Sequence, residues 1–284
     1  MAARTLDTAA ANETKDIATI INALNTPGSP VGSKIKDAFK QKFGIEISAA
    51  RKRQGSNRGT HYDFEIEVGG NGIWKKVEHK GSQNVRVPSP EEKPWLAGVQ
   101  FHNGGCEKYS LAKKYALQWY DLYIASGSLK TEFQLETPAP SFDDWFQQDC
   151  KTQADPKSAF GKELKRKVRA ARGPKKSLLE KREAVLAALE IGDQEKAAFM
   201  AEVLPIANQA LEQKDYWLSI HGNLNGDFHA AWYPKFLITA INDVTFKKSL
   251  DLEITFHCAD SFKFNGILRW GKGAGFSCLR VDLK

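Results

Sequence analysis

Hydrophobic spacing divides the chain into a helical front, a hairpin, a helical middle and a β-rich end. Residues 13–24 (ETKDIATIINAL) set Ile17, Ile20, Ile21 and Leu24 at helical intervals, which predicts a helix. NTPGSP at 25–30 is a loop, and a second helix is predicted over about 33–43, where Ile35, Phe39 and Phe43 form a stripe that Gly44 ends. RKRQGSNRG (51–59) has no period and reads as a loop. YDFEIEV (62–68) and IWKKVEHK (73–80) then alternate with period two around GGNG (69–72), a turn sequence rich in residues that accept positive φ. An extended, proline-marked connection follows at 84–95. Residues 107–124 carry a mixed helical pattern whose later half could be a strand, and SFDDWFQQ (141–148) reads as a short helix. Ser177 and Glu180 make a capping box for a helix over 177–191, and another helix covers 194–213 with a bend expected at Pro205. Beyond 216 the pattern is strand-like at 216–222, 235–243, 252–258, 262–270 and 276–284.

Composition adds constraints. A chain of 284 residues suits one large domain or two modest ones. It has no apolar run near the roughly 20 residues that span a bilayer, and its N-terminal residues lack the apolar centre of a secretory signal. A soluble intracellular protein, cytoplasmic or nuclear and without a membrane partner, is therefore expected. The four cysteines, Cys106, Cys150, Cys258 and Cys278, form no metal-binding pair and are expected as reduced, mostly buried thiols.

Charge is the more telling quantity. Of a net +7, residues 162–182 alone hold ten Lys/Arg against Glu163 and Glu180, and residues 34–58 hold eight against Asp37 and Glu46. The remainder is acidic. Two basic clusters in an acidic body point to a polyanion, usually nucleic acid, although each alone also reads as a solvated helix face. Candidate phosphate contacts are Arg51, Lys52, Arg53 and Arg58 in one cluster and Lys165, Arg166, Lys167, Arg169 and Arg172 in the other.

The hairpin fixes its own register. Pairing Val68 with Ile73 across GGNG sets Asp63 opposite Glu78, and opposed side chains have Cβ atoms roughly 4.5–5.5 Å apart. Alternation puts Phe64, Ile66, Val68, Ile73 and Val77 on one face, for the core, and Asp63, Glu65, Lys76, Glu78 and Lys80 on the other. Glu65 facing Lys76 fits an exposed ladder of ion pairs. Asp63 facing Glu78 does not, because like charges repel unless a cation lies between them, and hard Mg²⁺ prefers carboxylate oxygens.

Asp63, a short hairpin, then Glu78-His79-Lys80 resembles the PD-(D/E)XK nuclease superfamily over roughly residues 33–85, with Tyr62 standing where a proline often precedes the first acid. The resemblance implies an α/β fold: a restriction-endonuclease-like mixed β-sheet core flanked by helices, here with additional C-terminal β structure. It implies Mg²⁺, with Mn²⁺ as a substitute, held by Asp63 and Glu78, and Lys80 orienting the attacking water. Asp37 and Gln83 are the candidates for assisting roles. The implied activity is a metal-dependent endodeoxyribonuclease acting on double-stranded DNA, with a homodimer as a further expectation. The implied effect of replacing Asp63, Glu78 or Lys80 by Ala is loss of cleavage with thermal stability nearly intact or raised.

Other motifs say less. His221, Asn223 and His229 in IHGNLNGDFHAAWYP read as a polar turn region rather than a second metal site, and Arg269 and Lys272 as the basic tip of a hairpin or a DNA contact. The aromatics at 109–123 read as core. The expected organisation is a nuclease core over 1–150, a basic helical region over 151–214 and a β-rich region over 215–284, which either stands alone or completes the first sheet. The rival function is a non-catalytic nucleic-acid-binding accessory protein, and an RNA-directed nuclease is a variant of the first.

Overall fold

The computed structural model describes residues 3–53, 62–82, 102–151, 155–171, 174–259, 262–271 and 279–283. Helices α1 (Ala3–Asn25) and α2 (Pro30–Phe43) open the chain. α1 begins ten residues before the start predicted at position 13, where Ala-rich sequence has high helix propensity. Ser29 caps α2 by accepting from the Gly32 N–H, and Gly44, at φ 71°, closes it by donating to the Lys40 carbonyl. Strands β1 (Ile47–Lys52), β2 (Phe64–Val68), β3 (Trp74–Ser82) and β4 (His102–Gly105) come before the helical middle; β5 (Tyr216–Gly222), β6 (Phe228–Pro234), β7 (Ile241–Lys248), β8 (Leu252–Cys258), β9 (Lys263–Trp270) and β10 (Leu279–Leu283) follow it. The middle holds α3 (Ser110–Trp119), α4 (Ser128–Glu132), α5 (Phe142–Trp145), α6 (Ala159–Ala170), α7 (Pro174–Ala188) and α8 (Asp193–Glu212).

The molecule is a mixed α/β structure, and its described residues form two five-stranded sheets. The first has the order β1-β2-β3-β5-β6; β1, β2 and β3 are antiparallel neighbours, β5 lies parallel to β3, and β6 returns antiparallel. One of its faces is largely apolar: Phe64, Ile66, Val77, Leu218, Ile220, Phe228 and Trp232 pack with Ile20 and Leu24 of α1 and Ile35 and Phe39 of α2. Period two dictates that the intervening residues occupy the opposite face. The second sheet has the order β4-β10-β9-β8-β7 and is antiparallel throughout.

Contacts divide the chain into two compact units, 1–99 with 208–237 and 100–207 with 238–284. This division cuts across the three contiguous regions the sequence suggested. The reason is long-range pairing: β5 and β6 complete the first sheet, whereas β7 to β10 join β4 in a separate one.

Local readings fared unevenly. The later half of 107–124 is helical, with a π-helical segment at Tyr120–Ala125, and Tyr109, Tyr115 and Trp119 are buried as core. Ser177 does not cap a helix. α7 already starts at Pro174, whose fixed φ suits a first turn, and the Ser177 hydroxyl instead donates to Glu132. The strand read at 235–243 starts only at Ile241, and 228–234, read as polar turn, is β6. Ile73, assigned to the core face, is 48% exposed because it sits at the turn, beyond the cover of the helices. Cys106, Cys150 and Cys258 are buried, as expected; Cys278 lies outside the described residues. Among the described residues no helix is long and apolar enough to cross a membrane.

Candidate active site

The β2–β3 hairpin has the register its turn demands. The Val68 N–H donates to the Ile73 carbonyl at 3.1 Å, Gly69, Gly70 and Gly72 all take positive φ, and Phe64 pairs with Val77 and Glu65 with Lys76. The ladder stops at Phe64. One residue earlier, Asp63 donates its own N–H to the Val77 carbonyl at 2.9 Å, and its Oδ2 accepts the His79 N–H at 2.7 Å. A backbone donor that lost its strand partner is thus satisfied by the carboxylate. Asp63 is fixed at the level of Glu78 by this bond.

The polar face is not the exposed ladder that alternation also allowed. Glu65 is buried and takes its hydrogen bonds from Arg51 Nε at 2.6 Å and the Tyr62 hydroxyl at 2.9 Å. Glu78 is 7% exposed, with Oε1 2.9 Å from Lys80 Nζ and Oε2 3.4 Å from Lys214 Nζ. Lys214 is only 1% exposed, donates to the Ala210 carbonyl at 3.3 Å, and holds its ammonium 5.4 Å from the centre of the Trp217 ring. Burial pushes its pKa down, the charges of Glu78 and Asp63 pull it back up, and Lys80 pushes it down again. Asp63, Glu78, Lys80 and Lys214 therefore form one cluster of two negative and two positive side chains.

The polar row continues along the sheet. Lys80 is paired in register with Ser219 and Ser82 with His221; Ser219 Oγ lies 2.8 Å from His221 Nε2, and His221 is opposite His229 on β6. His221, through burial first and His229 second, has a lowered pKa. His79 points the other way, into the apolar face, where burial lowers its pKa to about 4 and neither ring nitrogen has a hydrogen-bond partner among the described residues.

Other anticipated site residues are distributed as follows. Asp37 is exposed on α2, whose buried side covers the apolar face of the sheet, so it is not brought to Asp63 and Glu78. Gln83, Arg58, Arg172 and Lys272 lie outside the described residues. Arg51 is engaged by Glu65 and stacks 3.8 Å from the Trp74 ring centre, and Arg53 donates to the Tyr62 carbonyl; Lys52 is exposed. Arg269 is no hairpin tip: it lies in β9, bound to Asp282. On α6, Lys162, Lys165, Arg166 and Arg169 line a surface pocket of about 420 Å³ with Asp155 and Pro156, and Lys165 is ion-paired to Asp155. Their i, i+3, i+4, i+7 spacing makes them one stripe, while Phe160 and Leu164 are buried in the core. Lys167 is half-buried near Glu163.

Among the described residues no group of three or more His, Cys, Asp or Glu side chains is placed to enclose a metal ion. Two neighbouring carboxylates nonetheless suit Mg²⁺, which typically takes one or two protein carboxylates and completes its octahedron with water and phosphate oxygens. Sequence reasoning missed Lys214 and the Ser219–His221 pair. Alternation in YWLSIHG does place Trp217, Ser219 and His221 on one face, but only the parallel pairing of β5 with β3 brings that face to Glu78. No protein-family model, curated protein or solved structure matches the chain.

Proposed function

We propose that the protein is a Mg²⁺-dependent endodeoxyribonuclease of the restriction-endonuclease-like class, with double-stranded DNA as substrate and Asp63, Glu78 and Lys80 as its reacting centre. The observation that carries this reading is the Asp63–Glu78 pair fixed at one level of the hairpin, with Lys80 2.9 Å from Glu78 on the same face. Asp63 and Glu78 would hold Mg²⁺, which supplies a lowered pKa on coordinated water and neutralises charge on the phosphate. Asp63 is kept in place by the His79 N–H, and Glu78 by its two lysines. Lys80, partly exposed, orients the attacking water and donates to a non-bridging phosphate oxygen as charge grows there. The basic stripe on α6 supports a polyanionic substrate, since phosphate contacts supply affinity without reading sequence.

A second reading, a non-catalytic nucleic-acid-binding protein, is favoured by one observation: each Glu78 oxygen already has a lysine partner, and together with Asp63 these four side chains balance in charge without a metal. Incubation of the full chain with supercoiled plasmid and Mg²⁺ decides between them. Nicking or linearisation that EDTA stops and Lys80→Ala reduces by roughly a hundredfold or more is the expected result. Retardation of DNA without cleavage, equal with and without EDTA, supports the second reading. A parallel arm with structured RNA separates the two polynucleotides.

A further inference from the structure

Lys214 is the most anomalous side chain in the first unit. A lysine that is only 1% exposed loses nearly all of its hydration, and a side chain of similar length such as Met would fill the same space without that loss. Its position is imposed by its neighbour: the Asp215 N–H donates to the Lys76 carbonyl and the Asp215 carboxylate accepts the Lys76 N–H, both at 2.9 Å, while the Lys235 N–H donates to the Asp215 carbonyl at 3.0 Å. These bonds fasten the start of β5 to β3 and β6 and deliver the Lys214 ammonium to 3.4 Å from Glu78 Oε2. Lys80 takes the other oxygen. Lys80 is exposed enough to touch a substrate; Lys214 is too deep to do so.

We infer that Lys214 is a positioning residue that serves as the internal counter-cation of Glu78 and competes with the divalent ion for its carboxylate. The inference rests on the nuclease reading and goes further, because it assigns a role to a residue outside the Asp-Glu-Lys set. With Asp63, Glu78, Lys80 and Lys214 the cluster sums to zero without metal, so the two acids are held ready at one level of the hairpin with no need of a bound ion. A dication entering that cluster meets two ammonium groups as well as two carboxylates. Its affinity for the DNA-free protein is therefore held down by Lys214, and removal of that one charge raises it.

The test is Ca²⁺ binding to the full chain without DNA, followed by isothermal titration and by the Ca²⁺-induced rise in melting temperature. Lys214→Met and Lys214→Gln are expected to bind Ca²⁺ at least about tenfold more tightly than the wild type, and Lys214→Arg to bind like the wild type. Equal or weaker binding in the two neutral variants overturns the inference, because Lys214 is then only a support for Glu78. Should the neutral variants not fold, the wild type carries the test: with lysine ε-carbons labelled, saturating Ca²⁺ must shift the Lys214 resonance, and an unmoved resonance overturns the inference. Plasmid cleavage by the wild type is measured alongside. If it cleaves and the Lys214 variants show no change in Ca²⁺ affinity, this inference alone fails. If it neither cleaves with Mg²⁺ nor binds Ca²⁺ in any variant, the nuclease reading fails with it.

Discussion

Each sheet buries one carboxylate between two cations, and the two sites are built differently. In the first sheet Glu78 has Lys80 on one oxygen and Lys214 on the other. In the second, Asp282 is fully buried on β10; its Oδ2 accepts from Arg269 Nε at 2.8 Å and also lies 2.8 Å from Arg269 Nη2 and 3.2 Å from Arg280 Nε as ion-pair contacts. Arg269 and Arg280 are directly paired across β9 and β10, so the guanidinium groups converge from adjacent strands. A planar guanidinium keeps its charge at any relevant pH and engages through several fixed donors, which locks the pair. A lysine ammonium is a single point charge that turns freely and can be exchanged. Among the described residues no second carboxylate is hydrogen-bonded to the strands beside Asp282 in this way, whereas Asp63 is fixed at the level of Glu78. The same local recipe thus gives a strand clamp in one sheet and an adjustable charge cluster in the other.

Conservative substitution of the two acids breaks this comparison most sharply. Glu78→Gln is expected to lower Mg²⁺-dependent cleavage by about a thousandfold or more, roughly 4 kcal/mol of barrier. Its stability loss is expected to stay near 1–2 kcal/mol, because Lys80 turns to solvent and Lys214 remains close to Asp63. Asp282→Asn is expected to behave in reverse. It strands two guanidinium groups that keep 34% and 22% of their side-chain exposure, so the loss falls at about 2–3 kcal/mol, below the ~3–5 kcal/mol of a fully dry pair. Cleavage per folded molecule stays within a few-fold of wild type. The sequence alone led to the expectation that loss of an acid leaves stability nearly intact or raised; for Glu78 a modest loss is expected instead, because its removal unbalances a buried lysine invisible in the hairpin itself. Urea melts and cleavage rates of both variants decide the matter; equal stability losses and equal activity losses would dissolve the distinction.

The next effect concerns the opposite face of the same hairpin. His79 sits among apolar side chains with its pKa lowered by burial to about 4, against a usual value of 6.5. The unfolded chain therefore binds a proton that the folded protein refuses between these values. Stability is full above about pH 6.5, falls as pH drops toward 4, and levels off below, with at most ~3 kcal/mol in play. His79→Leu should remove this slope between pH 6.5 and 4.5 in urea denaturation, whereas Asp282→Asn should keep it. An unchanged slope in His79→Leu assigns the acid sensitivity to other groups.

How much of this was legible depended on sequence distance. The β2–β3 register and the shared level of Asp63 and Glu78 follow from GGNG and period two, because a short turn leaves the two strands no freedom to slip. The helical cover of one face follows from the stripes of Ile20, Leu24, Ile35 and Phe39. The burial of the polar face does not: Glu65 is covered through Arg51 and Tyr62, and Glu78 through Lys214, which lies 136 positions further along the chain. Nothing in the neighbourhood of Lys214 separates it from an ordinary surface lysine before a strand. The parallel pairing of β5 with β3 brings it to Glu78, and a parallel pairing leaves no turn signature in the sequence.

The smallest effect separates the two basic clusters. Lys162, Arg166 and Arg169 are exposed on one stripe beside Lys165, which is buried and tied to Asp155, the carboxylate of the pocket, while Arg166 lies 3.9 Å from Glu163. Arg51 is committed to Glu65 and Trp74 instead. Reversing charge at Arg166 and Arg169 together is expected to weaken duplex binding in EDTA and to lower the log–log salt slope by about 1.8, the loss of two phosphate contacts. Arg51→Ala is expected to leave that slope alone and to cost the fold about 1–2 kcal/mol, the combined loss of a charged hydrogen bond and a stacked guanidinium at a partly exposed site. Anisotropy titrations at several salt concentrations, run beside a urea melt, keep binding and stability apart. A shallower salt slope for Arg51→Ala at unchanged stability would show the guanidinium reaching phosphate despite its internal partners, and the sequence would then have been right to group both clusters together.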